Sequence, residues 1–195
     1  MTLGMPSSRL SRKLLVLAAG LIAAAAVACS ADTPGPAASN AGPGGASQPA
    51  ASVSQSGSGA PVFAGQTFSH GRFDLAGKAG KPVVINFWFP SCPPCQAELP
   101  DLQAAYEKYS SQGVEFIGIQ QLGLDSSAAG KQFLADLGIT VPAFPDEGAQ
   151  VQAAYKVISY PTTVFLDRKH NIVRKWTGLI DKPHLEENIQ AIMKS

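Results

Sequence analysis

Residues 86–100 read NFWFPSCPPCQAELP, and they hold two of the chain's three cysteines, Cys92 and Cys95, with two prolines between them. Two thiols at this spacing could form a redox pair, ligate a metal, carry a haem or fill a core. The sequence on either side of the pair decides between these functions.

The pair lies between a predicted strand and a predicted helix. Residues 83–89 form an almost continuous apolar run, which is typical of a strand covered on both faces. From Pro93 the apolar residues recur at helical spacing as far as Gly113, and Pro100 is expected to kink this helix. Cys92 is therefore predicted to lie at a helix N-terminus, where the helix dipole and unpaired amides stabilise a thiolate.

Composition and spacing exclude several functions. The 195 residues carry a formal net charge of +1 and 15% charged residues, so no basic surface for nucleic acid is expected. A c-type haem would need His directly after the second cysteine, where Gln96 stands, and a four-thiolate zinc site would need more cysteines. We expect one folded domain, no metal, no nucleic-acid partner and a monomer.

The N-terminus predicts export. Three basic residues precede an apolar run at 14–27, which has the proportions of a secretory signal. Small residues directly before Cys29 resemble a bacterial lipoprotein processing box, in which the cysteine becomes acylated at the new N-terminus. Residues 1–28 are thus predicted to be a lipoprotein signal peptide, and the alternative is an ordinary signal peptide cut near Ala28.

A tether is expected after the lipidated cysteine. Residues 29–60 are almost entirely small or polar, and they cannot bury enough apolar surface to offset the entropy lost on ordering. The expected arrangement is a domain at 61–195 that is held by lipid to the extracytoplasmic side of the cell membrane.

The remaining elements give a strand and helix order of β-α-β-α-α-β-β-α, preceded by a hairpin around Phe63 to Phe73. One helix is expected to end at Gly138 with Phe133, Leu134 and Leu137 facing inward. The other predicted elements are strands at 114–120, 162–166 and 172–176, a short helix at 150–156 and a final helix capped by Asp181.

Four segments in this order resemble the thioredoxin fold, and more closely the TlpA/ResA/CcmG-like branch of extracytoplasmic thiol-disulfide oxidoreductases. They are residues 83–88, 92–95, 98–100 and 160–167. The resemblance implies an α/β fold with a central mixed sheet flanked by helices and an N-terminal β-hairpin extension. Ser91 departs from the family pattern, because it replaces the usual Trp before the first cysteine. Asn86 stands where cytoplasmic thioredoxins carry a buried Asp, although Asn is common in the membrane-anchored branch.

The resemblance also implies the chemistry of the cysteine pair. Cys92 would attack a substrate disulfide, and Cys95 would resolve the mixed disulfide by forming a Cys92–Cys95 bond. No cofactor is expected beyond this redox-active disulfide. Glu98 follows Cys95 by three residues on the same helix face, so it is a candidate for proton exchange with the resolving thiol.

Substrate binding is assigned to the segment before the strand at 162–166 and to the end of the first core strand. The family match implies a cis peptide before Pro161, which would place the backbone of Tyr160 against a substrate chain. Trp88 is a second candidate for lining the active site.

The expected function is reduction of disulfides in exported proteins, including apocytochrome c, with electrons from a membrane donor of the CcdA or DsbD type. A disulfide-forming oxidase on the same fold is the first alternative. A Sco-like copper-binding module is the second, although Sco-like proteins use a longer spacing between cysteines and a distant His. A thiol peroxidase would need a different context before its reactive cysteine.

Overall fold

The structure is a computed structural model that describes residues 51–54 and 59–195. Its strands, in chain order, are β1 (Ser52–Ser54), β2 (Val62–Gln66), β3 (Arg72–Asp74), β4 (Val83–Trp88), β5 (Glu115–Gln121), β6 (Ala143–Asp146), β7 (Thr162–Leu166) and β8 (Ile172–Thr177). Its α-helices are α1 (Pro93–Tyr109), α2 (Ser127–Asp136), α3 (Gln150–Ala154) and α4 (Lys182–Lys194).

The five-stranded sheet has the order β6-β5-β4-β7-β8, with β4 at its centre. Strand β4 runs parallel to β5 and antiparallel to β7, and all six of its residues are buried. An apolar strand of this kind requires cover on both faces, because successive side chains point to opposite sides. The thioredoxin-like mixed sheet with flanking helices is therefore confirmed.

The two faces of β4 contribute to two separate cores. Val84 and Trp88 belong to a cluster that includes buried residues of α1, α2 and α4. Val83, Ile85 and Phe87 belong to a second cluster, with α3 and the N-terminal strands. Asn86 lies on the same face as Val84 and Trp88, so the polar side chain of β4 points toward α1.

The N-terminal extension is larger than the predicted hairpin. Strands β2 and β3 pair as expected, but β1 adds a third antiparallel strand against β2. The prediction that the tether continues to residue 60 is therefore wrong for residues 51–54, whose strand pairs in the folded domain. The predicted signal peptide, Cys29 and most of the predicted tether lie outside the described residues.

Two further differences concern the segment after β5. Helix α2 ends at Asp136, and Leu137 is 47% exposed, so the prediction that Leu137 faces inward is wrong. Gly138 follows with φ +65°, a left-handed conformation that ends the helix and leaves Leu137 at its C-cap. The sequence reading also missed β6, a four-residue edge strand that contains Pro145.

Among the helices that the structure describes, none is both long and apolar enough to cross a bilayer.

Candidate active site

The cysteine pair lies at the start of α1. Cys92 is the N-cap residue, Pro93 and Pro94 occupy the first turn, and the two sulfurs form a disulfide with Cα atoms 5.2 Å apart. The chain folds this way because proline fits the first helical turn, where an amide has no helical partner. The backbone amide of Cys95 donates to Sγ of Cys92 across 3.3 Å. One helix amide thus points at the outer sulfur.

The two sulfurs differ in access to solvent. Cys92 retains 3% of its surface, whereas Cys95 is completely buried. Disulfide exchange requires a thiolate to reach a sulfur along the S–S axis, so access decides which sulfur meets a partner. Of the two residues only Cys92 retains any exposure, so Cys92 is the candidate for contact with a protein substrate.

Glu98 is buried one helical turn beyond Cys95. Its side chain is 1% exposed, and its Oε1 accepts a hydrogen bond of 2.7 Å from Nδ2 of Asn86. Its Oε2 accepts from the backbone amide of Ile180 at 3.1 Å. Burial raises the pKa of Glu98 to about 7, and the two hydrogen bonds oppose this rise only in part. Glu98 can therefore gain or lose a proton near neutral pH.

Asn86 connects this carboxyl group to the sheet. Its Nδ2 also donates to Oγ1 of Thr163, across 3.1 Å, and the two residues are paired in the register of β4 and β7. Among the described residues its Oδ1 has no hydrogen-bond partner, although the atom is buried. Because an amide does not titrate, Glu98 is the member of this hydrogen-bonded pair that can exchange a proton.

The loop before β7 lies next to the site. The Tyr160–Pro161 peptide is cis, and the Pro161 carbonyl accepts from the amide of Gly178 at 2.8 Å. The ring of Tyr160 packs edge-on against Phe89, with centroids 5.4 Å apart. Its hydroxyl donates to Oε1 of Gln152. Burial, with a smaller contribution from the Asp146 carboxylate, raises the pKa of Tyr160 to about 12, so this hydroxyl stays protonated.

Trp88 does not lie where the sequence reading placed it. Its side chain is 1% exposed, and it packs against Phe133 of α2 with ring centroids 5.9 Å apart. The prediction that Trp88 binds substrate is wrong, because a side chain at the end of β4 on the α1 face is enclosed by α1 and α2. The structure instead gives Trp88 a core role beneath the site.

Several residues of the site carry no signal in the sequence. Thr163 contacts Asn86 because of the register between β4 and β7, and Ile180 contacts Glu98 from the loop before α4. A pattern of residue types reveals neither contact. Asp125 contacts Ser91 from a position 34 residues away. Within the part of the chain that the structure describes, no group of three or more His, Cys, Asp and Glu side chains could hold a metal ion.

A helix-terminal disulfide on a thioredoxin fold is suited to the exchange of disulfides with thiols, and the enzyme class is thiol-disulfide oxidoreductase. A sequence profile of the AhpC/TSA family matches residues 56–175, so the chain belongs to this family, within its thioredoxin-like oxidoreductases.

Curated relatives and solved structures are similar over the same region. The thiol-disulfide oxidoreductase ResA of Bacillus subtilis (strain 168) is 32% identical over 136 residues, which is 70% of this chain and 75% of that protein. ResA of Bacillus thuringiensis subsp. konkukian (strain 97-27) is 30% identical over 133 residues, or 68% and 76% of the two chains. A secreted disulfide oxidoreductase of Mycobacterium tuberculosis, described as homologous to E. coli DsbE, is 28% identical with a TM-score of 0.58 over 66% of this chain and 95% of its own.

Proposed function

We propose that this protein is a lipid-anchored, extracytoplasmic reductase that uses Cys92 and Cys95 to reduce disulfides in exported proteins, with apocytochrome c as one client class. The observation that carries the direction of the reaction is the single amide at the outer sulfur.

Cys92 is the nucleophile in this proposal. In the dithiol form its thiolate attacks a client disulfide, forms one mixed S–S bond and releases the other client sulfur as a thiolate that takes up a proton. Cys95 then attacks Cys92, which re-forms the internal disulfide and releases the second client thiol. The client gains two electrons and two protons, and the Cys92–Cys95 pair is oxidised. The difference in burial between the sulfurs supports this order of events.

The paired prolines favour reduction over oxidation. A helix N-terminus normally offers several free amides, but Pro93 and Pro94 have none, and the amide of Gln96 is bonded to the Cys92 carbonyl. This leaves the Cys95 amide as the helix donor to the sulfur. Oxidases of this fold owe their high potential to a stabilised reduced form. A thiolate with one such donor is less stabilised, which favours the disulfide in this protein and electron flow to the client.

Glu98 moves the proton in this scheme. Cys95 must lose its proton before it attacks Cys92, and it must regain one when an electron donor opens the disulfide. A buried carboxyl group with a pKa of about 7 accepts and returns that proton at neutral pH. When ionised, the same group opposes a thiolate on Cys95 through like-charge repulsion, which also makes the pair more reducing.

The loop at the cis proline is the proposed docking edge for the client. Tyr160 is half buried and its side chain contacts Phe89 and Gln152, which supports a fixed position for its backbone. An extended client segment could pair with this backbone as a short added strand. Such recognition reads main-chain groups, so it suits unfolded clients of many sequences.

The location is supported by the sequence before the domain. Residues 14–29 have the apolar core and small residues of a lipoprotein signal, and residues 30–50 have the composition of a tether. A tethered reductase needs a source of electrons, for which a membrane donor of the CcdA or DsbD type is the proposed partner. Replacing Cys29 by Ser should move the protein from the membrane to the soluble fraction, and unchanged retention with no acyl mass on the mature N-terminus would contradict the anchor.

Trapping tests the client and the order of attack together. Cys95→Ser removes the resolving thiol, so mixed disulfides on Cys92 should accumulate and can be identified by mass spectrometry after thiol blocking. Cys92→Ser is the matched control and should trap far fewer adducts. Equal trapping by both variants would overturn the assignment of nucleophile and resolver.

The reduction potential separates the two directions. Equilibration with thioredoxin-type references should give a value near the thioredoxin end, at roughly −270 mV. A value near roughly −120 mV would instead identify a disulfide-forming oxidase. The Sco-like alternative stays a prediction that copper titration with thiol counting would test.

A further inference from the structure

The turn before the nucleophile is held from two sides. The amide of Cys92 donates to the Phe89 carbonyl at 3.2 Å, and this closes a turn over residues 89–92. From α1, Nε2 of Gln96 donates to the Pro90 carbonyl at 2.7 Å. From the segment between β5 and α2, a single carboxylate oxygen of Asp125 accepts both the amide of Ser91 at 3.0 Å and its hydroxyl at 2.7 Å.

One of the two hydrogen bonds to Asp125, the one from the hydroxyl, depends on the side chain at position 91. A Ser side chain is short enough to turn its hydroxyl back to the oxygen that already accepts the Ser91 amide. The usual Trp at this position has no hydroxyl, so it could not make the second of these bonds. The departure at Ser91 and the carboxylate of Asp125 therefore form one arrangement.

Asp125 also brings charge to the site. Among the described residues it makes no ion pair, since the acidic members of the ion pairs there are Glu115, Glu186 and Asp181. Its carboxylate lies against Ser91, the residue that directly precedes Cys92. A nearby like charge disfavours a thiolate, and at the surface the effect weakens as salt is added.

We propose that Asp125 is a positioning residue for Cys92, which fixes the Ser91 turn and, through its charge, holds down the thiolate of the nucleophile. The inference rests on the proposed role of Cys92 as nucleophile. It assigns to Asp125 the same effect on redox direction that the two prolines have.

Other titratable groups lie on the elements that pack near α1 and must be held constant in a test. Glu98 lies on α1, Tyr160 on the loop before β7, and Asp181 with His184 at the start of α4. None of these is altered when Asp125 alone is changed. A difference between variants therefore reports on Asp125.

The test uses two full-length proteins that both carry Cys95→Ser. One keeps Asp125, and the other also carries Asp125→Asn. Asparagine keeps an oxygen that accepts from Ser91 but removes the charge. Alkylation of Cys92 is followed across pH by mass spectrometry of its peptide, so Cys29 does not interfere. In Asp125→Asn the pH midpoint of Cys92 alkylation should fall. Below this midpoint the thiolate fraction of Cys92 should rise by at least about threefold at low salt, and the difference should shrink in high salt.

A second readout uses both cysteines. In the chain with Cys95 intact, Asp125→Asn should shift the equilibrium with glutathione toward the reduced protein by a similar factor. Asp136→Asn is the matched control, because it removes the same charge from the far end of α2, and it should shift neither readout. Asp125→Glu keeps the negative charge and should therefore give wild-type values in both measurements. If Asp125 mattered only through its shape, this variant would shift them as well.

The outcomes separate this inference from the proposed function. An alkylation midpoint and a glutathione equilibrium for Asp125→Asn that coincide with wild type would overturn it, as would an equal shift in Asp125→Glu or Asp136→Asn. If Cys95→Ser traps no clients while Asp125→Asn still shifts the Cys92 midpoint, the proposed reductase role fails and the inference about Asp125 stands.

Discussion

Nδ2 of Asn86 lies 2.7 Å from Oε1 of Glu98, so a neutral amide from the central strand holds a buried carboxyl group one helical turn beyond Cys95. Among the described residues Oδ1 of Asn86 has no partner, so a turned amide would offer it as an acceptor to a protonated Glu98. The pair can therefore accommodate both protonation states of Glu98. This arrangement underlies the first two predictions.

The first prediction concerns the reactivity of Cys95 in the reduced protein. We expect the alkylation of Cys95 in wild type to change around pH 7, and Glu98→Gln should remove this change, because glutamine has no proton to exchange in this range. The variant should also slow resolution of the mixed disulfide in single-turnover experiments. Glu107→Gln, an exposed position on the same helix, is the control. Profiles and rates that superimpose on wild type would reduce Glu98 to a structural residue.

The second prediction concerns stability of the oxidised protein. The pKa of Glu98 is raised in the folded state from 4.5 to about 7, so the folded chain binds more protons than the unfolded chain between these values. The free energy of unfolding should therefore fall as pH rises through this window, by about 3 kcal/mol from this group. In Glu98→Gln this contribution should vanish. Denaturant unfolding at pH 4.5 and pH 8 checks the difference, and an equal pH dependence in both proteins would contradict it.

The sequence predicts the parts of the site that depend on local order. Cys92 and Cys95 stand at a strand-to-helix junction, and the spacing of Glu98 on a helix places it one turn further on. These relationships follow from helix geometry alone, and they hold in the structure. The cis peptide at Pro161 was predicted only from the family resemblance, because X-Pro bonds are usually trans.

The parts that escaped prediction depend on contacts between distant segments. Trp88 has the apolar and aromatic character of either a core or a binding residue, and only the packing of Phe133 from α2 places it in the core. Strand β6 is short and lies at the sheet edge, so its pattern was too brief to recognise. The bond between Ser91 and Asp125 joins two loops, whose geometry local sequence does not determine.

The third prediction concerns the contact between the two sheets. A Cβ placed on Gly65 of β2 would lie 2.7 Å from the ring of Phe144 on β6, which is too close for carbon atoms. Phe144 is 1% exposed and packs against Phe63, so the ring has little room to move. Gly65→Ala should therefore lower the free energy of unfolding by about 1–3 kcal/mol. Gly77→Ala, where an added Cβ meets nothing within 4 Å, is the control. Equal free energies of unfolding for the two variants would show that the Phe144 ring can move away from an added Cβ at position 65.

The fourth prediction concerns the direction of the redox reaction. Pro94→Ala adds a backbone amide to the first turn of α1. In wild type the Cys95 amide is the one donor from this turn to Sγ of Cys92. A second donor should stabilise the Cys92 thiolate and so shift the glutathione equilibrium toward the reduced protein, by about threefold to tenfold if the new bond contributes about 1 kcal/mol. Pro100→Ala in the same helix, more than a turn away from the sulfur, is the matched control and should leave the equilibrium unchanged. A Pro94→Ala equilibrium equal to wild type would mean that the missing amides do not set the potential, and the argument for a reductase would then rest on Glu98.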